Sequence, residues 1–497
     1  MNDDLKKLYR TLGYAGPLPE GDAPGSFAAP SPAAEAAAGA APALASDPAE
    51  RPPLDAAGLN QLEEMLNREP NKTLARVREM WDSGMTRERL REAIAAARRA
   101  MAAPTEAVAV VEAENAFFAA AIPALPPGFT FPGMNDLPKI TINPEDRKYE
   151  NDDLIGVLGW IFGAGPFVLT QPSKKNFRFH SQDKPFIYDL EEPSPDKPLE
   201  IALFSDFGVG RYYSKFIARH IGAGGHPYAI HLGDVYYAGR SSEFRENFED
   251  LLDPILTGTS LFTLNSNHEM YSEGKPYFDY IDKRAELHPG KQKQQGSYFC
   301  LRSEKFQIVG IDTAFFGHGR YRKDPLRDWL RNVLRDGRQA GRVNILLSAD
   351  HPYEYGEKKL TKLLRSDLKP FVLEDRLVDL WFWGNTHYCA LFDHKPVEDD
   401  DIPVLPFVGS CIGHGGYPYD TKKRGEHEPA PMLFLEDQSR FPGTNVRPDK
   451  GNNGYCVLRL NADGSMELQY WDWMKNQRFA ASLARGQAGE PLRVTPI

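Results

Sequence analysis

Five short polar motifs, each closing an apolar run with β-strand character, constrain this chain more than any other feature. They are Asp206-Phe-Gly208 after LEIALFS, Gly233-Asp234-Val-Tyr-Tyr237 after YAIHL, Asn267-His268-Glu269 after LFTLNS, Asp350-His351-Pro352 after VNILLSA, and Gly384-Asn385-Thr-His387 after VDLWFW. A strand ending in a carboxylate, an amide or an imidazole sets a hard ligand at the rim of a sheet. Five such strands can converge on one cation or a pair.

Between the apolar runs lie amphipathic segments, at 213–220, 244–252, 325–334 and 360–364. That alternation fits an α/β sandwich. Near the C-terminus, YCVLRL and MELQYWDW flank Asn461-Ala-Asp-Gly464, which predicts a hairpin. At 497 residues and 41% apolar content, the chain can bury a large domain plus a smaller module.

A net charge of −10, with no basic stripe to offset it, argues against a nucleic-acid partner. A phosphate site in so acidic a chain draws its positive charge locally, which points to metal. Cys300, Cys389, Cys411 and Cys456 are far apart, without a Cys-x-x-Cys pair. They read as buried thiols rather than a zinc knuckle or a disulfide framework. The N-terminus MNDDLKKLYRTLGYAG is charged and has no apolar leader core, and no run approaches a membrane span, so cytoplasmic residence is expected.

The first two hundred residues divide into three. Residues 1–53 end in an Ala/Pro/Gly/Ser-rich stretch (20–53) expected to be a flexible tether. Residues 54–104 carry helical periodicity at Leu59, Leu62 and Leu66, at Leu74, Val77 and Trp81, and at Leu90, Ile94 and Ala97. With no catalytic signature, they read as a helical module for docking or oligomerisation. Residues 105–196 read as a wrapping extension into the core at 197–497.

In order and spacing the five motifs resemble the metallophosphoesterase (calcineurin-like) superfamily. Asp206/Gly208 and Gly233/Asp234/Tyr237 match the Asp-x-Gly and Gly-Asp-x-x-Tyr of its purple acid phosphatase-like branch. Asp-Phe-Gly also occurs in protein kinases, but no kinase catalytic or glycine-rich loop accompanies it here. The resemblance spans 197–480 and implies a four-layer sandwich, two mixed β-sheets flanked by helices, with an N-terminal α-helical extension. It implies a metal-dependent phosphoric ester hydrolase using a metal-activated water, with a phosphorylated small molecule or protein as substrate.

Residue by residue, the resemblance assigns Asp206, Tyr237 and His387 to a first ion, Fe³⁺ being favoured by a tyrosinate ligand. Asp234 bridges to a second, which Asn267 also binds. His268 contacts the transferring phosphoryl group or protonates the leaving oxygen. Two positions depart from the family pattern: Asn385 stands where Gly-His-x-His has its first histidine. Ala349 or Asp350 fills the fourth motif's histidine slot, with His351 following. If Asn385 and Asp350 coordinate through oxygen, the second site suits hard ions such as Mn²⁺, Mg²⁺ or Ca²⁺, with Fe²⁺ and Zn²⁺ as family alternatives. If they do not, the protein holds one ion, or is a weak or inactive metal- or phosphate-binding protein on a phosphatase scaffold.

Each ligand also has a plain structural reading. Asp206 and Asp234 can cap turns, Tyr237 can be a packed aromatic and His387 a core histidine. Cys411-Ile-Gly-His414-Gly-Gly416 follows VLPFVGS, and its glycines would let backbone approach a phosphate, with His414 and His351 as candidate substrate contacts. His318 in FFGHGR reads as a turn residue or a contact. Arg211, Tyr212 and Tyr213 follow the first motif closely enough to line a cleft.

Overall fold

The computed structural model describes residues 3–12, 18, 53–80, 85–121, 154–169, 176–210, 212–291, 293–353, 355–396, 402–422, 427–437, 451–486 and 490–497. Most of the expected tether, Trp81 and Arg211 lie outside them. The strands are β1 Ile187–Asp189, β2 Leu199–Phe204, β3 Tyr228–His231, β4 Ser260–Thr263, β5 Phe299–Arg302, β6 Phe306–Ile311, β7 Val343–Ser348, β8 Leu380–Trp383, β9 Cys389–Phe392, β10 Val408–Ile412, β11 Met432–Leu435, β12 Gly454–Leu460, β13 Met466–Asp472, β14 Gln477–Arg485 and β15 Leu492–Pro496.

They form two mixed sheets, one ordered β1-β5-β6-β7-β8-β10-β9-β11 and the other β15-β14-β13-β12-β2-β3-β4. Side chains alternate between the faces of each strand, and the alternation sorts them into layers. Ile201, Leu203, Ile308, Ile345, Leu347, Leu380 and Phe382 meet between the sheets. Their neighbours point outward: Ala202 and Phe204 pack with Phe216 and Ile217 of helix Tyr212–Gly224. Leu346, Trp381 and Trp383 pack in the layer that holds Trp329, Leu330 and Val333 of helix Asp324–Gln339. The result is the four-layer α/β sandwich that the motif pattern implied. The hairpin at 461–464 forms with Gly464 at φ +91°, a backbone region open to glycine.

The N-terminal helices are Asp3–Thr11, Ala56–Arg68, Pro70–Met80, Arg87–Ala102, Pro104–Ala121, Leu154–Gly163 and Gly165–Val168. Asp55 and Thr86 cap two of them, accepting from Gly58 N at 2.8 Å and Arg89 N at 3.1 Å, each contributing about 1 kcal/mol. The periodic leucines are buried as expected. Helix Leu154–Gly163 is apolar all round, and Leu158, Trp160, Ile161 and Phe162 sit inside the same core. That core also takes in Val209, Tyr236, Tyr237, Ala238 and Tyr417 from the sandwich's loops. The apolar faces of the 54–104 segment are thus covered within the chain, against the rim that carries the motifs. Arg240 ties the junction, donating to the Gly163 carbonyl and lying 4.9 Å over the Phe167 ring. No helix among the described residues is long and apolar enough to cross a membrane.

Candidate metal centre

Strands β2, β3 and β4 run parallel in one sheet, and β6, β7, β8 and β10 run parallel in the other. Their C-terminal ends therefore discharge the motifs at one edge of each sheet, where open α/β sheets place ligands. Asp206, Asp234, Asn385 and His387 all adopt positive φ, at 57°, 80°, 58° and 46°. Four motif residues thus share a sparsely populated backbone region of the kind that clusters at functional sites. The Asp-x-Gly glycine has a steric reason: a Cβ on Gly208 would lie 2.5 Å from Val235 Cα and 2.7 Å from Asp234 O. Gly208 N donates to Asp234 O, and Tyr236 N to Gly208 O, which locks the first two motif loops together.

One ligand atom each from Asp206, Asp234 and His387 lies within 4.8 Å of the others, and both carboxylates are fully buried. Asp206 accepts from Asn385 N at 2.9 Å, and His387 Nε2 lies 3.1 Å from its Oδ1. Burial would raise the Asp206 carboxyl, but the His387 contact and hydrogen bonds to Tyr236 outweigh it and hold the pKa below the usual range. Asp234 moves the other way, pushed up by burial and then by the charges of Asp206 and Glu269. Its Oδ1 is buried without a hydrogen-bond partner. An orphaned carboxylate oxygen between like charges is costly unless a cation meets it. The donor set of carboxylate, carboxylate and imidazole therefore fits a bound metal ion.

The tyrosine at this cluster is Tyr236, where the motif match had pointed to Tyr237. The Tyr236 hydroxyl lies 2.6 Å from Asp206 Oδ1, 3.2 Å from Asp234 Oδ2 and 3.0 Å from His387 Nε2. Burial and then the two carboxylates push its phenol well above the usual range. The Tyr237 ring instead approaches Gly163 in the helical core, while its backbone N donates to Glu243 at 2.7 Å. Both rings belong to the core under the helices, but it is the Tyr236 hydroxyl that reaches the carboxylates. Tyr417 stacks on His387 with ring centres 4.5 Å apart and on Tyr236 at 4.4 Å.

The other expected residues divide. His268 is buried, and its Nδ1 lies 2.6 Å from the Tyr237 carbonyl. A carbonyl only accepts, so Nδ1 carries the proton and Nε2 of the neutral ring offers a lone pair. Burial lowers its pKa to about 3. Its ring packs 4.2 Å from that of Tyr236. Asn267 Oδ1 accepts from Ser266 Oγ at 2.8 Å, and its Nδ2 donates to Tyr271. Asn385 and Asp350, expected as donors to a second ion, are turned toward each other: Asn385 Nδ2 donates to Asp350 Oδ1 at 3.3 Å. Thr313 Oγ1 at 2.6 Å and Gly319 N at 3.1 Å occupy Asp350 Oδ2. His351 is half-buried, its carbonyl accepting from Thr361. His414 is buried, its Nδ1 without a hydrogen-bond partner, and burial lowers its pKa to about 4 while the Asp206 charge opposes that shift. Tyr213 is buried and packs edge-on against Trp473, ring centres 5.2 Å apart.

Sequence reading passed over Asp312-Thr313, which closes β6 as the motifs close their strands. FQIVGIDT carries that signal, a sixth apolar run ending in a carboxylate. Asp312 is fully buried, accepts from Ser297 Oγ at 2.5 Å and from Ala314 N and Phe315 N, and burial raises its pKa to about 6.

Residues 199–389 match the calcineurin-like phosphoesterase family. The matched region holds Asp206, Asp234, Tyr236 and His387. No curated protein matches the chain. Among solved structures, a purple acid phosphatase from yellow lupin (Lupinus luteus) seeds is similar, with a TM-score of 0.42, 14% identity and cover of 59% of this chain and 55% of the lupin one. This chain thus spans about half of the lupin enzyme's length. PhoD follows at 0.41, with 11% identity and 62% and 74% cover, and a dimetal phosphatase from Danio rerio at 0.32, with 12% identity and 55% and 95% cover.

Proposed function

We propose that the chain is a purple acid phosphatase-like phosphoric ester hydrolase working with one tightly held metal ion, Fe³⁺ being the ion best suited to a phenolate donor. The observation that carries this is the cluster of buried Asp206 and Asp234 with half-buried His387, the Tyr236 hydroxyl on it, at the C-terminal edge of the parallel strands. These four residues would hold the ion. When bound, it supplies positive charge to phosphoryl oxygens and makes water acidic enough to attack at neutral pH.

The chain's own residues orient the rest. Asn385 N fixes Asp206 Oδ2, Tyr417 stacks on His387, and the Tyr237 carbonyl sets the tautomer of His268 so that Nε2 accepts a hydrogen bond from a hydroxyl or water in the cleft. A substrate carrying a phosphate ester, on a small molecule or a protein, suits a site whose positive charge is local.

A second reading, a metal- or phosphate-binding protein with little turnover, is favoured by the pairing of Asn385 with Asp350. Metal per chain and turnover of an aryl phosphate monoester and diester separate the two. The hydrolase reading expects at least one equivalent of metal and turnover that Asp234→Asn abolishes. Bound metal with no turnover sensitive to Asp234→Asn would leave the binding protein.

A further inference from the structure

We propose that His318, held by Asp350, is a phosphoryl-binding residue that takes the place the second cation's donors would otherwise serve. The inference rests on the phosphoester reading above, and deepens it by naming a group that meets the substrate.

The first observation is what surrounds Asp350. Its Oδ2 accepts from Thr313 Oγ1 and Gly319 N, its Oδ1 accepts from Asn385 Nδ2, and His318 Nδ1 lies 3.2 Å from Oδ1, at ion-pair distance but off the hydrogen-bond line. Both oxygens are thus engaged by the protein, and the Asn385 amide nitrogen is turned onto one of them. A carboxylate so surrounded orients its neighbours instead of presenting a free edge to an ion. Asp350 also lies outside the set of ligand atoms that Asp206, Asp234 and His387 bring together.

The second observation is how the His318 loop is braced. Upstream, Asp312 accepts from the backbone of Ala314 and Phe315. Downstream, Arg320 makes a two-pronged contact with Asp367, 2.7 Å on each oxygen, and Tyr321 N adds a third bond to the same carboxylate at 2.9 Å. Gly317 at φ 131° and Gly319 at φ 63° allow the sharp turn between those anchors. His318 sits at the tip, and a loop tied at both ends holds its side chain in one place.

The third observation is where the ring faces. Nδ1 is buried on the Asp350 side, yet the side chain as a whole is 31% exposed. The exposed edge is therefore the one bearing Nε2, and no described residue hydrogen-bonds it. On the other side of the site the ring of His268 packs on Tyr236 beside the carboxylates. From there Asn385 links the two halves of the site, its backbone N on Asp206 and its side chain on Asp350. Through Asp350 and Asn385, His318 is thus connected to the Asp206 side of the site. A phosphate entering it, against walls rich in carboxylate, needs a side-chain partner away from the ion, and the Nε2 edge of His318 is placed to give a phosphoryl oxygen that contact.

The test uses the full chain, metal-loaded, with inorganic phosphate as the probe. Metal per chain is counted, phosphate binding is followed by calorimetry, and kcat and KM are measured on an aryl phosphate. His318→Ala is expected to leave metal per chain unchanged and to weaken phosphate binding about ten- to hundredfold, the range of one hydrogen bond to a charged group. His318→Gln should recover part of the loss by keeping a polar tip, and Asp350→Asn should show a smaller loss with the metal count again unchanged. A purely structural role would lower thermal stability in His318→Ala and leave phosphate affinity in the folded fraction as it was, which overturns the proposal. So does a fall in metal per chain in Asp350→Asn or His318→Ala, which would make these residues donors to a second ion. If the unmodified chain binds phosphate and His318→Ala weakens it while nothing turns over, the hydrolase reading fails and the His318 assignment stands. If turnover is present and His318→Ala changes neither phosphate affinity nor kinetics, the assignment fails alone.

Discussion

Replacing either neighbouring tyrosine of the second motif by phenylalanine removes one oxygen, but the structure gives the two losses different sizes. In Tyr236→Phe a buried hydroxyl within 3.2 Å of Asp206, Asp234 and His387 disappears. A hydrogen bond to a charged group contributes about 1.5–3 kcal/mol, and each 1.4 kcal/mol is a factor of ten in affinity. Metal affinity should therefore fall about ten- to hundredfold. In Tyr237→Phe the ring stays in the helical core beside Gly163, and the atoms of the site are untouched. Metal affinity should stay within about twofold, because the hydroxyl removed is not the one on Asp206, Asp234 and His387. The assay is competition for the metal against a chelator of known strength, with far-ultraviolet circular dichroism to confirm that both variants fold. Ferric protein adds a second readout, since a tyrosinate ligand gives a visible charge-transfer band that only Tyr236→Phe should remove. Loss of metal and colour in Tyr237→Phe, with Tyr236→Phe behaving as the parent, would refute the assignment of Tyr236.

Three further outcomes follow from the same structure. Burial lifts the Glu269 carboxyl to about 8, and a group raised in the fold stabilises it fully below its unfolded pKa and loses that contribution as pH climbs through the folded one. The buried histidines act in the opposite sense until unfolded histidine has finished titrating, about one unit above its pKa of about 6.5, so the metal-free chain's melting midpoint should drop between about pH 7.5 and 8. Glu269→Gln, which keeps the helix cap, should flatten that slope, and a midpoint that rises over this window would contradict the sign. Phe162→Ala should cost about 3–5 kcal/mol in urea unfolding and also weaken metal binding, because Phe162 shares a core with Tyr236; stability loss with unchanged metal affinity would separate the helices from the site. Gly208→Ala places a methyl against Val235 Cα and Asp234 O, backbone atoms that cannot swing aside, so metal binding should fall even where the protein still folds, as read by metal content of the purified variant.

What could be read beforehand follows the range of the physics involved. Strand ends are local: an apolar run stopping at Asp206, Asp234 or Asn385 announces itself, and the inside-outside alternation of Leu380, Trp381, Phe382 and Trp383 already contains two layers of the sandwich. The periodicity of Leu59, Leu62 and Leu66 likewise gives a helix and its buried face, but not what covers that face, which turns out to include the neighbouring helices Pro70–Met80 and Arg87–Ala102. Choosing between Tyr236 and Tyr237 needs more than spacing, because two adjacent side chains after a positive-φ aspartate are distinguished only by the backbone pairing of Tyr236 with Gly208, in the first motif's loop. The least legible feature is the surroundings of Asp350. Thr313, Gly319, Asp350 and Asn385 come from the ends of three different strands, and each is an ordinary turn residue by itself. Only their meeting shows that Asp350 is already fully engaged. An altered motif can mean a lost ligand or a new partner for it, and here the hydrogen bonds around Asp350 favour the second.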